Sequence, residues 1–139
     1  MRGLALFLIA AGAVWASDIA DAVMQHNDAA ARLLIANKSD VNAAQTDGTT
    51  ALHWAARWDD IETAQLLIRR GAAPEAANHD GATPMFLAAQ NGSAAMIELL
   101  LKGGAEVNTP VLAHGETALM MASRSGSVDA VRVLIEHGA

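Results

Sequence analysis

Asp47-Gly48-Thr49-Thr50-Ala51-Leu52-His53-Trp54-Ala55-Ala56-Arg57 decides the fold, because this stretch comes back twice. It returns as Asp80-Gly81-Ala82-Thr83-Pro84-Met85-Phe86-Leu87-Ala88-Ala89-Gln90. It returns again as His114-Gly115-Glu116-Thr117-Ala118-Leu119-Met120-Met121-Ala122-Ser123-Arg124. The glycines of the three copies lie 33 and then 34 residues apart. A second element keeps step: Leu66-Leu67-Ile68-Arg69-Arg70-Gly71-Ala72 matches Leu99 to Ala105 and Val133 to Ala139. Leu33 to Asn42 holds the same place one period upstream. A fixed period of this size marks a stack of supersecondary units. Four units are expected, at about 17–44, 45–77, 78–111 and 112–139, with the first divergent and the last cut short.

Each unit reads as helix–turn–helix. Thr50, Thr83 and Thr117 are suited to cap a helix start by accepting from free backbone N–H groups. Pro84 at a first helical position lacks only a donor that would be orphaned there. Leu52, Ala55 and Ala56 follow at helical spacing and make a narrow, close-packing face. Asp59-Asp60 and Asn91-Gly92 interrupt that helix. Ile61, Ala64, Leu66, Leu67 and Ile68 then form a more apolar second helix, ended by Gly71 and Gly104 in the manner of a left-handed helix stop. Leu66 and Leu99 are expected among its buried leucines. Asp-Gly at 47–48 and 80–81 supplies the tight turn into the next unit. Asp59, Asp60 and Glu62 fit helix capping and the positive helix end better than paired catalytic carboxylates.

The chain resembles the ankyrin repeat family. The family's Thr-Pro-Leu-His-x-Ala signature is nearly intact at Thr50 to Ala55, with Ala51 in place of proline, and looser at Thr83 to Ala88 and Thr117 to Ala122. Gly-Ala-Glu-Val-Asn at 104–108 and Ser-Asp-Val-Asn at 39–42 are similar to its linking segment. The resemblance covers about residues 17–139 and implies an all-α solenoid of stacked helix–turn–helix units with short turn connections. It implies that His53 ties the turn to the first helix by a hydrogen bond. Trp54 stands where the family has leucine and is expected in the core, with Met120 and Met121 as core filler. There are departures. One extra residue around Asn108 to Ala113 should bulge the turn before the fourth unit, and His114 replaces the usual turn aspartate. The sequence stops at Gly138-Ala139, where a further unit or polar cap is expected. A longer protein, or a partner over that end, is the expectation.

Composition agrees. Hydrophobic residues make up 53%, much of it alanine, with 3 Trp, 2 Phe and no Tyr, which disfavours a broad aromatic core. Nine Lys+Arg against 15 Asp+Glu give a net charge of −6, with no basic stripe to neutralise phosphates or to meet an anionic membrane. The absence of cysteine excludes disulfides, thiolate metal sites and thiol nucleophiles.

Met1-Arg2, the apolar run Gly3–Trp15 and Val14-Trp15-Ala16 before Ser17 have the layout of a secretory signal peptide over residues 1–16. The run is shorter than the roughly 20 residues that cross a bilayer. The other reading is an apolar helix packed on the first repeat. Export, to a periplasm or beyond the cell, is expected, with no membrane association after cleavage.

No catalytic motif stands out. His26, His53, His79, His114 and His137 show no metal-site spacing, and no phosphate loop or nucleophile elbow is present. No enzyme activity, cofactor or metal is expected. In ankyrin proteins, partners are gripped by the turn tips and the exposed side of each first helix. By position these are Thr46, Asp47, Thr49, Arg57 and Trp58; then His79, Asp80, Ala82, Gln90 and Asn91; then Ala113, His114, Glu116, Arg124 and Ser125. Trp58 is either an exposed anchor or a ring folded over Ile61 or the first unit. The expected function is a protein-binding scaffold in an exported compartment, monomeric unless the C-terminal end is covered. The alternative is a repeat module of a secreted effector or toxin-associated protein.

Overall fold

The computed structural model describes residues 18–139, so residues 1–16 and the expected cleavage before Ser17 lie outside the described part. Eight helices follow in pairs: α1 (Asp18–Met24) with α2 (Asp28–Ala36), α3 (Ala51–Trp58) with α4 (Ile61–Arg69), α5 (Pro84–Gln90) with α6 (Ala94–Lys102), and α7 (Ala118–Ser125) with α8 (Val128–Glu136). Among the described residues there is no strand.

The first helices stack as one row, α1–α3–α5–α7, and the second helices as another, α2–α4–α6–α8. Contact is the more extensive along most of the first row. The cause is residue size. Ala51, Ala55, Ala56, Ala88, Ala89, Ala118 and Ala122 are fully buried, and their small side chains let the first helices approach closely. The second row interposes the larger Leu67, Ile97, Leu100 and Leu134, and its neighbouring helices touch less extensively.

Helix starts follow the sequence. Thr83 and Thr117 accept from the N–H groups of Phe86 and Met120, both at 3.3 Å. Asp60, Ser93 and Ser127 cap the second helices by accepting from Thr63, Met96 and Ala130. Helices end in a repeated 6→1 closure, as where Ala72 N–H donates to Leu67 O (2.9 Å) and Ala105 N–H to Leu100 O (3.0 Å). That closure needs a left-handed residue, which Gly71 and Gly104 supply cheaply. At His26, Lys38 and Asp59 the same geometry (φ 56°, 61° and 55°) is carried by non-glycine residues, at a cost of roughly 1–2 kcal/mol each.

Between units the chain turns back on itself. Gln45 N–H donates to Thr49 O (2.8 Å), and Asn78 N–H to Ala82 O (3.0 Å). In the last tip the pair is Val111 N–H to Glu116 O (2.8 Å), one residue wider, which accommodates the extra residue as a broadened turn. Successive tips abut: His79 N–H donates to Asp47 O at 2.8 Å, and a Cβ on Gly81 would lie 2.6 Å from Ala113 N. Asn42 clasps the following unit by donating to Gly71 O (3.0 Å) and accepting from Ala73 N–H (2.7 Å); Asn108 repeats the first bond to Gly138 O (3.2 Å).

Several expectations need correction. Leu66 and Leu99 are only half-buried, and the fully enclosed leucines are their neighbours Leu67 and Leu100. Met121 is buried as expected, but Met120 is 53% exposed, because it falls one helical step round from the alanine face. Val128 and Ile135 are also exposed, on α8, at positions where Ile61 and Ile68 are half-buried by packing.

Leu100→Ala is expected to cost about 2–5 kcal/mol in urea unfolding, and Leu99→Ala distinctly less. Equal losses would mean that the two leucines share the core.

Candidate functional site

The inner face of the array is built by residues at one helical position in three successive layers. Trp54, Leu87 and Met121 share that position on α3, α5 and α7; Arg57, Gln90 and Arg124 follow three residues on, one turn further along the same face. The tips Thr46–Thr49, His79–Ala82 and Ala113–Glu116 form the opposite wall.

Trp54 is half-buried rather than enclosed. Its indole N–H donates to Gln45 Oε1 at 2.8 Å, and Gln45 in turn donates to Asp21 of the first unit at 2.6 Å. The indole N–H thus finds a polar partner while the rest of the ring packs against the core. Trp58 stacks on Trp54 with ring centroids 5.8 Å apart, and His26 of the first unit lies against Trp58 at 4.5 Å. The Arg57 guanidinium sits 5.9 Å and 5.7 Å from the two indole centroids. Trp58 therefore folds against the first unit as one of its two readings had it. It covers the first unit, and it keeps 39% of its surface exposed.

Two hollows open on this face. One, of about 160 Å³, has Trp54, Arg57 and Leu87 on the helical side and Asp47 and Asn78 on the tip side. The next, of about 290 Å³, is lined by Phe86, Gln90, Leu112, Met121, Arg124 and Ser125. Each combines an apolar floor with one arginine.

Below the first hollow His53 is fully buried. Its Nδ1 accepts from the Thr50 N–H (3.1 Å) and faces the Thr50 hydroxyl at 2.9 Å; Nε2–H donates to Ala82 O (2.9 Å). The ring thus ties the start of α3 to the tip of the next unit. Asp47 accepts from the Thr49 N–H at 2.9 Å, and this bond above all holds its carboxyl below the usual range.

A sequence profile described as ankyrin repeats (3 copies) matches residues 19–111 and, in a second placement, 59–139. The chain belongs to the ankyrin repeat family. No curated protein matches it significantly. Ankyrin repeats are generally protein–protein interaction modules, and the family is typically non-enzymatic. Among the described residues, no group of three or more His, Asp or Glu side chains is placed to hold a metal ion.

The ankyrin groove residues named from sequence fall into distinct places. Thr46, Asp47, His79, Asp80 and His114 are exposed at the tips, and Arg57, Trp58, Gln90 and Arg124 on the helical side. Thr49 is buried, with 7% exposure, and presents little to a partner. Asn91 is exposed but donates to Ala56 O (3.2 Å) and Arg57 O (2.9 Å), closing the end of α3. The Ser125 hydroxyl donates to Ala122 O and accepts from Ser127 N–H. Glu116 turns inward, its Oε2 buried without a hydrogen-bond partner. Sequence reading missed Gln45, His26, Phe86 and Leu112. A glutamine three residues ahead of a turn glycine carries no signal of a tryptophan partner, and Phe86 stands where the signature has histidine.

His53 makes the array acid-sensitive in one window. Burial lowers its pKa from the ordinary 6.5, and a second proton on Nδ1 would face the Thr50 N–H. The unfolded chain takes up a proton near pH 6.5 that the folded chain refuses, so stability falls as pH drops below that value. Glu98 behaves in a different window. Its pKa is lowered chiefly by the hydrogen bond with His137, so its contribution is present above the ordinary 4.5 and is lost only in stronger acid. Urea unfolding across pH 5–8 should show a slope that His53→Gln flattens, although the variant is weaker at pH 8. An unchanged slope would exclude His53 as its source.

Proposed function

We propose that this chain is an exported scaffold that binds a partner protein along its inner face. The observation that carries the reading is the Trp54–Trp58–Arg57 stack. Large amphipathic side chains are held there in fixed positions beside an open hollow, with the outer indole 39% exposed. Tryptophan and arginine dominate binding energy at protein interfaces, and preorganised side chains lose little entropy on docking. The mixed charges of the groove, with Asp47 and Asp80 on one wall and Arg57 and Arg124 on the other, suit a polypeptide better than a polyanion. The N-terminal layout Met1-Arg2, Gly3–Trp15 and Val14-Trp15-Ala16 supports export.

Affinity capture from an exported-protein fraction, comparing the wild type with Trp58→Ala, tests the groove. A hot-spot role predicts a loss of about 2 kcal/mol or more in affinity for the captured partner. Equal recovery of every partner would remove Trp58 from the account. Fusing residues 1–20 to a reporter active only outside the cytoplasm tests export, and an inactive fusion would overturn it.

A further inference from the structure

Arg57 and Arg124 stand at equivalent positions two layers apart, with uncharged Gln90 between them. Arg32, Lys102 and Arg132 each meet a carboxylate, at 2.8, 3.4 and 2.9 Å. Among the described residues no such ion pair forms at Arg57 or Arg124. Lys38, Arg69 and Arg70 form no carboxylate pair either, but Arg57 and Arg124 are the two such groups that line this groove, where a carboxylate can meet them. Arg57 is also held in place by its indole neighbours.

The layer spacing sets the reach that a ligand touching both arginines needs. Neighbouring helical layers lie about 8–10 Å apart, so the two arginines are separated by about 16–20 Å along the groove. A polyproline-II segment rises about 3.1 Å per residue and returns a side chain to the same side every third residue. Six residues of it span about 19 Å, and the third of them faces the middle layer. That middle layer is apolar, with Phe86 and Leu87 half-buried.

We propose that the groove takes an extended, acidic polypeptide segment in the polyproline-II conformation. One carboxylate side chain lies opposite Arg57, an apolar side chain three residues on rests against Phe86 and Leu87, and a second carboxylate six residues on meets Arg124. Asp47 lines the first hollow from the tip side and directs a bound carboxylate to the Arg57 wall. The indoles add aromatic surface of the kind on which proline rings pack. This proposal rests on the groove reading above and specifies its ligand.

Fluorescence anisotropy with a dye-labelled synthetic peptide, Pro-Asp-Pro-Pro-Leu-Pro-Pro-Asp-Pro, tests it. The controls carry Asn for both Asp residues, or the two Asp residues brought five apart. The wild-type protein is expected to bind the first peptide at least tenfold tighter than either control. Arg57→Gln and Arg124→Gln should each weaken it roughly tenfold, the worth of one charge-assisted bond, with Arg57→Lys in between. Thermal melts of the variants separate lost binding from lost folding, and Arg124→Gln, remote from the indole stack, serves if Arg57→Gln unfolds. Equal affinity for the Asp and Asn peptides, no binding of the Asp peptide, or folded variants that bind like the wild type would each overturn the acidic assignment. If the Asn peptide binds as well and Trp58→Ala abolishes it, the groove survives and the acidic ligand falls. If no peptide binds and capture is indifferent to Trp58, both fall.

Discussion

Helices of 7 to 9 residues are too short to persist in water alone, and every helix described in this chain has that length. What holds them is burial against the next pair. Ala51, Ala55 and Ala56 on α3 lose all contact with water only because α1 and α5 lie on either side, and Ala88 and Ala89 depend likewise on α3 and α7. Directional bonds then fix the register that burial leaves loose. The His53 tie to Ala82 O, the Asn42 clasp on Gly71 and Ala73, and the tip bond from His79 to Asp47 all join one unit to the next.

The binding surface is a by-product of the same constraint. Small alanines on the inner row draw the first helices together and leave the groove side less tightly packed. Side chains on that side can vary without loss of the stack, so Trp54, Leu87 and Met121 differ while Ala55, Ala88 and Ala122 do not. Function in such a chain sits on the scaffold and is not dictated by it.

The repeat period, the capping threonines, the glycine helix stops and the widened fourth tip are all legible in the sequence, because each follows from local chemistry at a fixed spacing. Side-chain choice between adjacent candidates is less so. Leu66 and Leu67, or Met120 and Met121, are equally apolar, and only the helical phase decides which is enclosed. Trp54 could be read as core by position, but its indole N–H required Gln45, whose role arises from contact across a turn. The His26–Trp58 contact joins side chains 32 positions apart and leaves no trace in either local stretch. Thr49 and Glu116 illustrate the reverse error, since a residue beside a turn tip can still point inward.

The hydrogen bonds that join units have a kinetic meaning. Asn42 to Gly71, His53 to Ala82, Asn91 to Ala56 and His137 to Glu98 close sequence separations of 29, 29, 35 and 39 residues. No described side-chain bond reaches further, so forming native structure never requires the distant parts of the chain to find each other. Loop-closure entropy is then incurred in equal small steps, one per unit, whatever the number of units. Such a chain can nucleate at any well-formed neighbour pair and grow outward in both directions, like a zipper started from its middle.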